Sequence, residues 1–146
     1  MNRASAWRLA LAGDRISATR LWEREVPGAE RVYTTPLVAD GKVWVFTLDN
    51  RLTALDLATG ATVSTTDFQP LLDGIRGGRP PAYLQPTQVG RSVIVGWQSG
   101  VVGAVGLDGQ GARLVVAFPE NARATPAFRG GAAWFRTLGR VWRFDG

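Results

Sequence analysis

The chain has 146 residues, of which 45% are hydrophobic and 20% charged, a make-up that fits one folded domain and excludes a disordered or fibrous chain. Its 17 Lys and Arg outweigh 12 Asp and Glu, giving a net charge of +5. With no Cys and no His, it has no disulfides, thiolate or imidazole metal ligands, Cys nucleophiles or Ser-His-Asp triads, and its apolar runs are too short to span a membrane.

The first segment lacks the apolar stretch of a secretory signal, because Arg8, Asp14 and Arg15 interrupt it. Residues 5–11 and 16–26 read as two strands joined at Gly13-Asp14. Residues 36–38 form a short strand that ends at Asp40-Gly41, a hairpin dipeptide. Residues 42–47 are apolar at successive positions, the pattern of a strand covered on both faces. A turn at Asp49-Asn50, a strand over 51–57, a turn at Thr59-Gly60 and a strand over 61–67 complete a four-stranded unit. Residues 69–82 read as an inserted loop, carrying Leu71, Leu72, Asp73, Ile75, Arg76 and Arg79. No stretch shows a helical period.

The four-stranded unit recurs. A shift of 50 positions carries Pro36 onto Pro86, Val43 onto Val93, Val45 onto Val95, Ala54 onto Ala104 and Leu57 onto Leu107. A shift of 90 carries Pro36 onto Pro126, Gly41 onto Gly131, Trp44 onto Trp134 and Thr47 onto Thr137. Antiparallel four-stranded units at this spacing are blades of a β-propeller. The expected fold is all-β: a single partial propeller over residues 1–146, of about three blades and 13 strands. Residues 5–27 make a half blade, 32–68 and 83–118 full blades, and 122–146 a three-stranded blade. Trp7, Trp22, Trp134 and Trp142 fall in the terminal units, where large apolar surfaces are expected to face water.

The basic residues are Arg apart from Lys42, and six of them fall between Arg113 and the end, against Glu120 and Asp145 alone. Arginines interleaved with Trp134, Phe135, Trp142 and Phe144 can serve a single-stranded nucleic acid. The same alternation is what a strand with one packed face requires, and that reading is preferred over nucleic-acid binding.

The segment Asp40-Gly41-Lys42-Val43-Trp44-Val45, followed by Ala54-Leu55-Asp56-Leu57-Ala58-Thr59-Gly60, resembles the quinoprotein-like (pyrroloquinoline quinone repeat) β-propellers. Their blades repeat Ala-x-Asp-x-x-Thr-Gly-x-x-x-Trp. The likeness is good over 32–64, weaker over 83–118, where Gly106 replaces the Asp, and limited to the front half of the unit over 122–146. Ser64 stands where the family has its docking Trp. Ala54, Asp56, Thr59 and Gly60 carry a structural role in this motif: Asp56 caps the turn, and Gly60 takes the positive φ.

The resemblance implies one of two kinds of protein. In the quinone-dependent dehydrogenases of the family, quinone and metal ion sit on the axis, held by an acidic cluster and a stacking Trp. No residues here match that set, so no catalytic, cofactor-binding or metal-binding residue is assigned and no cofactor is expected. The expected function is that of a non-enzymatic binding or assembly module, whose ring is completed by self-association or by a protein partner. The alternatives are a segment of a quinone-dependent dehydrogenase with its cofactor site elsewhere, and a structural subunit of a larger complex. The inserted loop has two readings, a partner-docking patch or a cover folded over the neighbouring blade, and the second is preferred. The resemblance implies an extracytoplasmic location, whereas the start of the chain implies the cytoplasm if Met1 is the native start.

Overall fold

The computed structural model describes residues 3–26, 34–75, 82–122 and 124–145. Among them are thirteen strands in four antiparallel sheets, taken in chain order. The first sheet is a hairpin of β1 (Arg3–Ala12) and β2 (Arg15–Glu25). The second runs β3 (Leu37–Ala39), β4 (Lys42–Phe46), β5 (Arg51–Asp56) and β6 (Thr62–Asp67). The third runs β7 (Ala82–Val89), β8 (Ser92–Trp97), β9 (Val101–Gly106) and β10 (Arg113–Ala117). The last has three strands, β11 (Ala127–Arg129), β12 (Ala132–Arg136) and β13 (Val141–Asp145). Each strand pairs with its chain neighbour, the up-and-down order of propeller blades, and the chain is a partial β-propeller.

Local chemistry sets the turns. Asp40 and Gly41 both take positive φ, 52° and 67°, the requirement of a two-residue hairpin turn between twisted strands. Gly130 and Gly131 do the same one blade-pair later, at 56° and 79°.

Strand β4 shows why its residues are apolar on both faces. Val43 and Val45 pack with Leu55 against Ala4, Ala6 and Trp22 of the hairpin. Trp44 and Phe46 point the other way, into a core shared with Val93, Val95 and Trp97 of the third sheet. That core is centred on Phe46, Phe68 and Trp97, which meet edge to face with centroids 5.5 to 6.2 Å apart. The third sheet is likewise two-sided: Val102 and Ile94 leave it on the opposite face, toward Phe128 and Phe135 of the last sheet. The second and third sheets therefore stack one face on their predecessor and the other on their successor.

One element departs from the sequence reading. Among its described residues the inserted segment contains a single helical turn, α1 (Gln69–Leu72), with Pro70 in its first turn. Four residues are too few for a period to register, and Pro is at home there because the first helical N–H groups need no intrahelical acceptor.

Candidate interaction surfaces

The repeat motif does structural work in both full blades. The Asp56 carboxylate accepts the Ala58 and Thr59 N–H groups at 3.1 and 2.8 Å and the Thr59 hydroxyl at 2.7 Å. The Thr59 hydroxyl bond first, then the Thr59 N–H, hold its pKa below the ordinary carboxylate value. Ala54 is buried in the core and Gly60 sits at φ 71°. In the third sheet Gly106 replaces the Asp, and the chain compensates two residues later: the Asp108 carboxylate accepts the Gln110 N–H at 2.9 Å. A Cβ at position 106 would collide with that carboxylate, so the missing Asp and the new one are a single exchange.

Gly60 also receives the neighbouring sheet. The Trp22 indole lies on it, so that an added Cβ would stand 2.6 Å from the ring, and its Nε1 donates to the Leu57 carbonyl at 2.9 Å. Ser64 meets the equivalent Gly109 of the third sheet in the same way, and Thr66 donates to the Gly109 carbonyl at 3.3 Å. Trp22 thus holds a docking position on β2 that Ser64 holds on β6. This corrects the expectation that Trp22 faces water: it is 6% exposed, whereas Trp7 is 52% exposed. The signal was a Trp near the end of a strand, but only the fold puts a turn glycine opposite it.

The inserted segment covers the core. Leu72 is fully buried, and Leu71 and Ile75 pack against the same core cluster, so Leu72 is removed as a docking residue. Asp73 is exposed and accepts a hydrogen bond from the Gln69 amide at 2.8 Å. Arg76 and Arg79 lie outside the described residues. The segment is anchored by Asn50, a buried residue at φ 66° whose amide donates to Gln69 at 2.9 Å. The Asn50 side-chain oxygen accepts the Trp97 indole N–H at 2.7 Å, and its carbonyl accepts the Phe68 N–H at 2.9 Å. No sequence motif marked Asn50 as this junction.

Three repeat-equivalent residues, each just before a proline, meet at the inner strands. Gln85 donates from its amide to the Thr35 hydroxyl at 3.1 Å and from its backbone to the Thr125 hydroxyl at 3.2 Å. Glu120 caps the last hairpin, accepting the Gly139 N–H at 2.8 Å and the Thr137 hydroxyl at 3.0 Å, with Arg140 at 3.3 Å. The Gly139 N–H chiefly holds its pKa low. Among the described residues no three His, Cys, Asp or Glu gather as a metal site. The carboxylates Asp56 and Glu120 serve turns, and Thr35, Gln85 and Thr125 are neutral, so this donor set does not fit a quinone held with a divalent ion.

Two apolar surfaces are open among the described residues. Every residue from 7 to 21 is exposed, so the outer part of the hairpin is an arm beyond the packed sheets. Cross-strand pairing puts Trp7 opposite Arg20, Leu9 opposite Ala18 and Leu11 opposite Ile16 on one face, with Arg8, Thr19 and Ser17 on the other. Leu9, Leu11 and Ile16 are 69%, 75% and 72% exposed. Between the third and last sheets lies a cleft of about 320 Å³ whose walls include Val89, Val116, Phe128 and Phe144.

No family model matches the chain, and no curated protein matches it. Solved structures do. BamB from Moraxella catarrhalis aligns at TM-score 0.63 and 19% identity over 97% of this chain and 42% of that one. The computationally designed Ika4 protein aligns at TM-score 0.64 and 14% identity over 97% of this chain and 91% of that one. A quinohemoprotein alcohol dehydrogenase from Comamonas testosteroni aligns at 0.63 and 17% over 84% of this chain and 26% of that one. At these identities the likeness is one of fold, a β-propeller of the kind found in both BamB and quinone enzymes. The chain spans less than half the length of BamB.

Proposed function

We propose that this chain is a non-catalytic β-propeller module that works through protein–protein contacts. The observation that carries this reading is the arm of residues 7–21, a ribbon with Trp7, Leu9, Leu11 and Ile16 on one face and no cover. Two-stranded hairpins are marginal in water by themselves, and apolar surface flanked by charge marks a contact site. Arg8, Arg15 and Arg20 supply that flank.

The surrounding scaffold supports the same reading, because Asp56 and Glu120 hold turns and Asn50 and Gln85 join sheets. The competing reading is a segment of a quinone-dependent dehydrogenase. Incubation with pyrroloquinoline quinone and calcium, followed by gel filtration, tests whether this chain itself holds the quinone. The binding module elutes without quinone absorbance; one quinone retained per chain would overturn the proposal.

A further inference from the structure

The sheets of this molecule stack in one sense only, which leaves two end faces of defined composition. The hairpin turns its Ala4, Ala6 and Trp22 face to the second sheet, and the last sheet turns its Phe128 and Phe135 face to the third. Strand alternation places Arg3, Trp7, Arg20, Glu23 and Glu25 on the hairpin's opposite face, at its base, with Glu23 ion-paired to Arg3 and Arg20. The opposite face of the last sheet carries Arg129, Trp134, Arg136, Val141 and Arg143, the last ion-paired with Asp145 at 2.7 Å. Each end face has a Trp under a guanidinium: Arg20 lies 5.9 Å from the Trp7 ring and Arg143 5.9 Å from that of Trp134.

We propose that the partner is a second copy of this chain, docked head to tail, with the hairpin base of each copy stacked on the last sheet of the other. The inference rests on the protein-contact reading above and places a contact with a second copy at the end faces, apart from the arm. Three observations support it. The contact continues the stacking already present at the three internal boundaries, where one sheet's face meets the next. It sets Glu25, together with Glu23 and its own partners Arg3 and Arg20, against Arg129, Arg136 and the Asp145-paired Arg143, a face of mixed sign against a basic one. Finally, four sheets per copy give a ring of eight, within the range that propellers close, and one copy accounts for 42% of the length of BamB. The contact is heterologous, yet two copies close it, so it ends at a dimer and does not grow into fibres.

The test is the mass in solution by light scattering after size exclusion, on the whole chain. The parent runs at twice 15.7 kDa. Arg136→Glu/Arg143→Glu runs as a monomer, as does Glu23→Lys/Glu25→Lys, each checked for an unchanged β-sheet circular dichroism spectrum. An equimolar mixture of the two variants regains the dimer mass, because both contacts in the mixed pair again join opposite charges. If Glu23→Lys/Glu25→Lys fails to fold, loss of the dimer in the arginine variant and in high salt still decides the matter. A parent that stays monomeric at every concentration overturns the proposal. So does a dimer that survives both charge reversals and falls apart only in Leu9→Lys/Leu11→Lys, which would place the contact arm to arm. The result is separable from the reading it rests on. A chain that dimerises as described but retains quinone sinks the non-catalytic reading alone; a monomer that retains none sinks only the pairing.

Discussion

At the scale of single residues, the molecule depends on a few side chains that join one sheet to the next. Asn50 combines a left-handed backbone with hydrogen bonds to Trp97 and Gln69. The equivalent place in the third sheet is Gly100, at φ 90°, whose carbonyl accepts the Phe118 N–H as that of Asn50 accepts the Phe68 N–H. Asn50→Gly therefore loses side-chain bonds only, whereas Asn50→Ala also pays a left-handed penalty. Urea unfolding will show Asn50→Ala less stable than Asn50→Gly by about 1 kcal/mol. Trp22→Ala removes the docking of the hairpin on Gly60 and will cost about 3 kcal/mol by the same measurement. Asp56 sets a pH dependence. Its folded pKa is depressed, so its contribution is complete above the ordinary carboxylate range near pH 4 and is lost as pH falls through the lower folded value. Melting temperatures followed downward from neutral pH will fall less steeply below about pH 4 in Asp56→Asn than in the parent.

At the scale of elements, the hairpin and the inserted segment behave in opposite ways. The inserted segment is apolar and outside the repeat, which admits a docking patch or a cover over the neighbouring blade, and the cover is the preferred reading. Its leucines serve the core, since the gap over Phe68 and Trp97 needs cover. Leu72→Ala will cost about 2 to 3 kcal/mol in urea. The arm is the reverse case: its leucines alternate as they would in a buried strand, but the packed sheets end before them. Leu9→Lys/Leu11→Lys will change stability by less than about 0.5 kcal/mol, because those side chains are already in water. A loss above about 1 kcal/mol would mean that the arm folds against the sheets. Alternation reports that a strand has an apolar face; it carries no information about how far the neighbouring sheet extends.

At the scale of the whole molecule, the two end faces decide what the propeller does next. One balances Glu23 and Glu25 with Arg3 and Arg20 at its base and the other is basic, with a tryptophan in each, and two basic faces repel, so this asymmetry favours end-to-end contact over contact between the last sheets. Electrostatic attraction between exposed charges is screened within about 10 Å at 0.1 M salt, so raising the salt concentration will shift the dimer toward monomer.

The sequence by itself determined the all-β class, the repeat, the turn positions and the role of Asp56, Thr59 and Gly60. These are local matters: positive φ demands glycine or Asp/Asn, and a strand between two neighbours demands apolar residues at successive positions. Only the tertiary structure decided which turn glycine Trp22 meets, that Asn50 ties the inserted segment to Trp97, that Asp108 replaces the absent Asp at 106, and where the arm leaves the packed sheets. The Asp108 exchange is local geometry that no repeat pattern marks; the others depend on residues tens of positions apart being brought into contact. A pattern along the chain records what a residue needs from its surroundings, and folding determines which surroundings supply it.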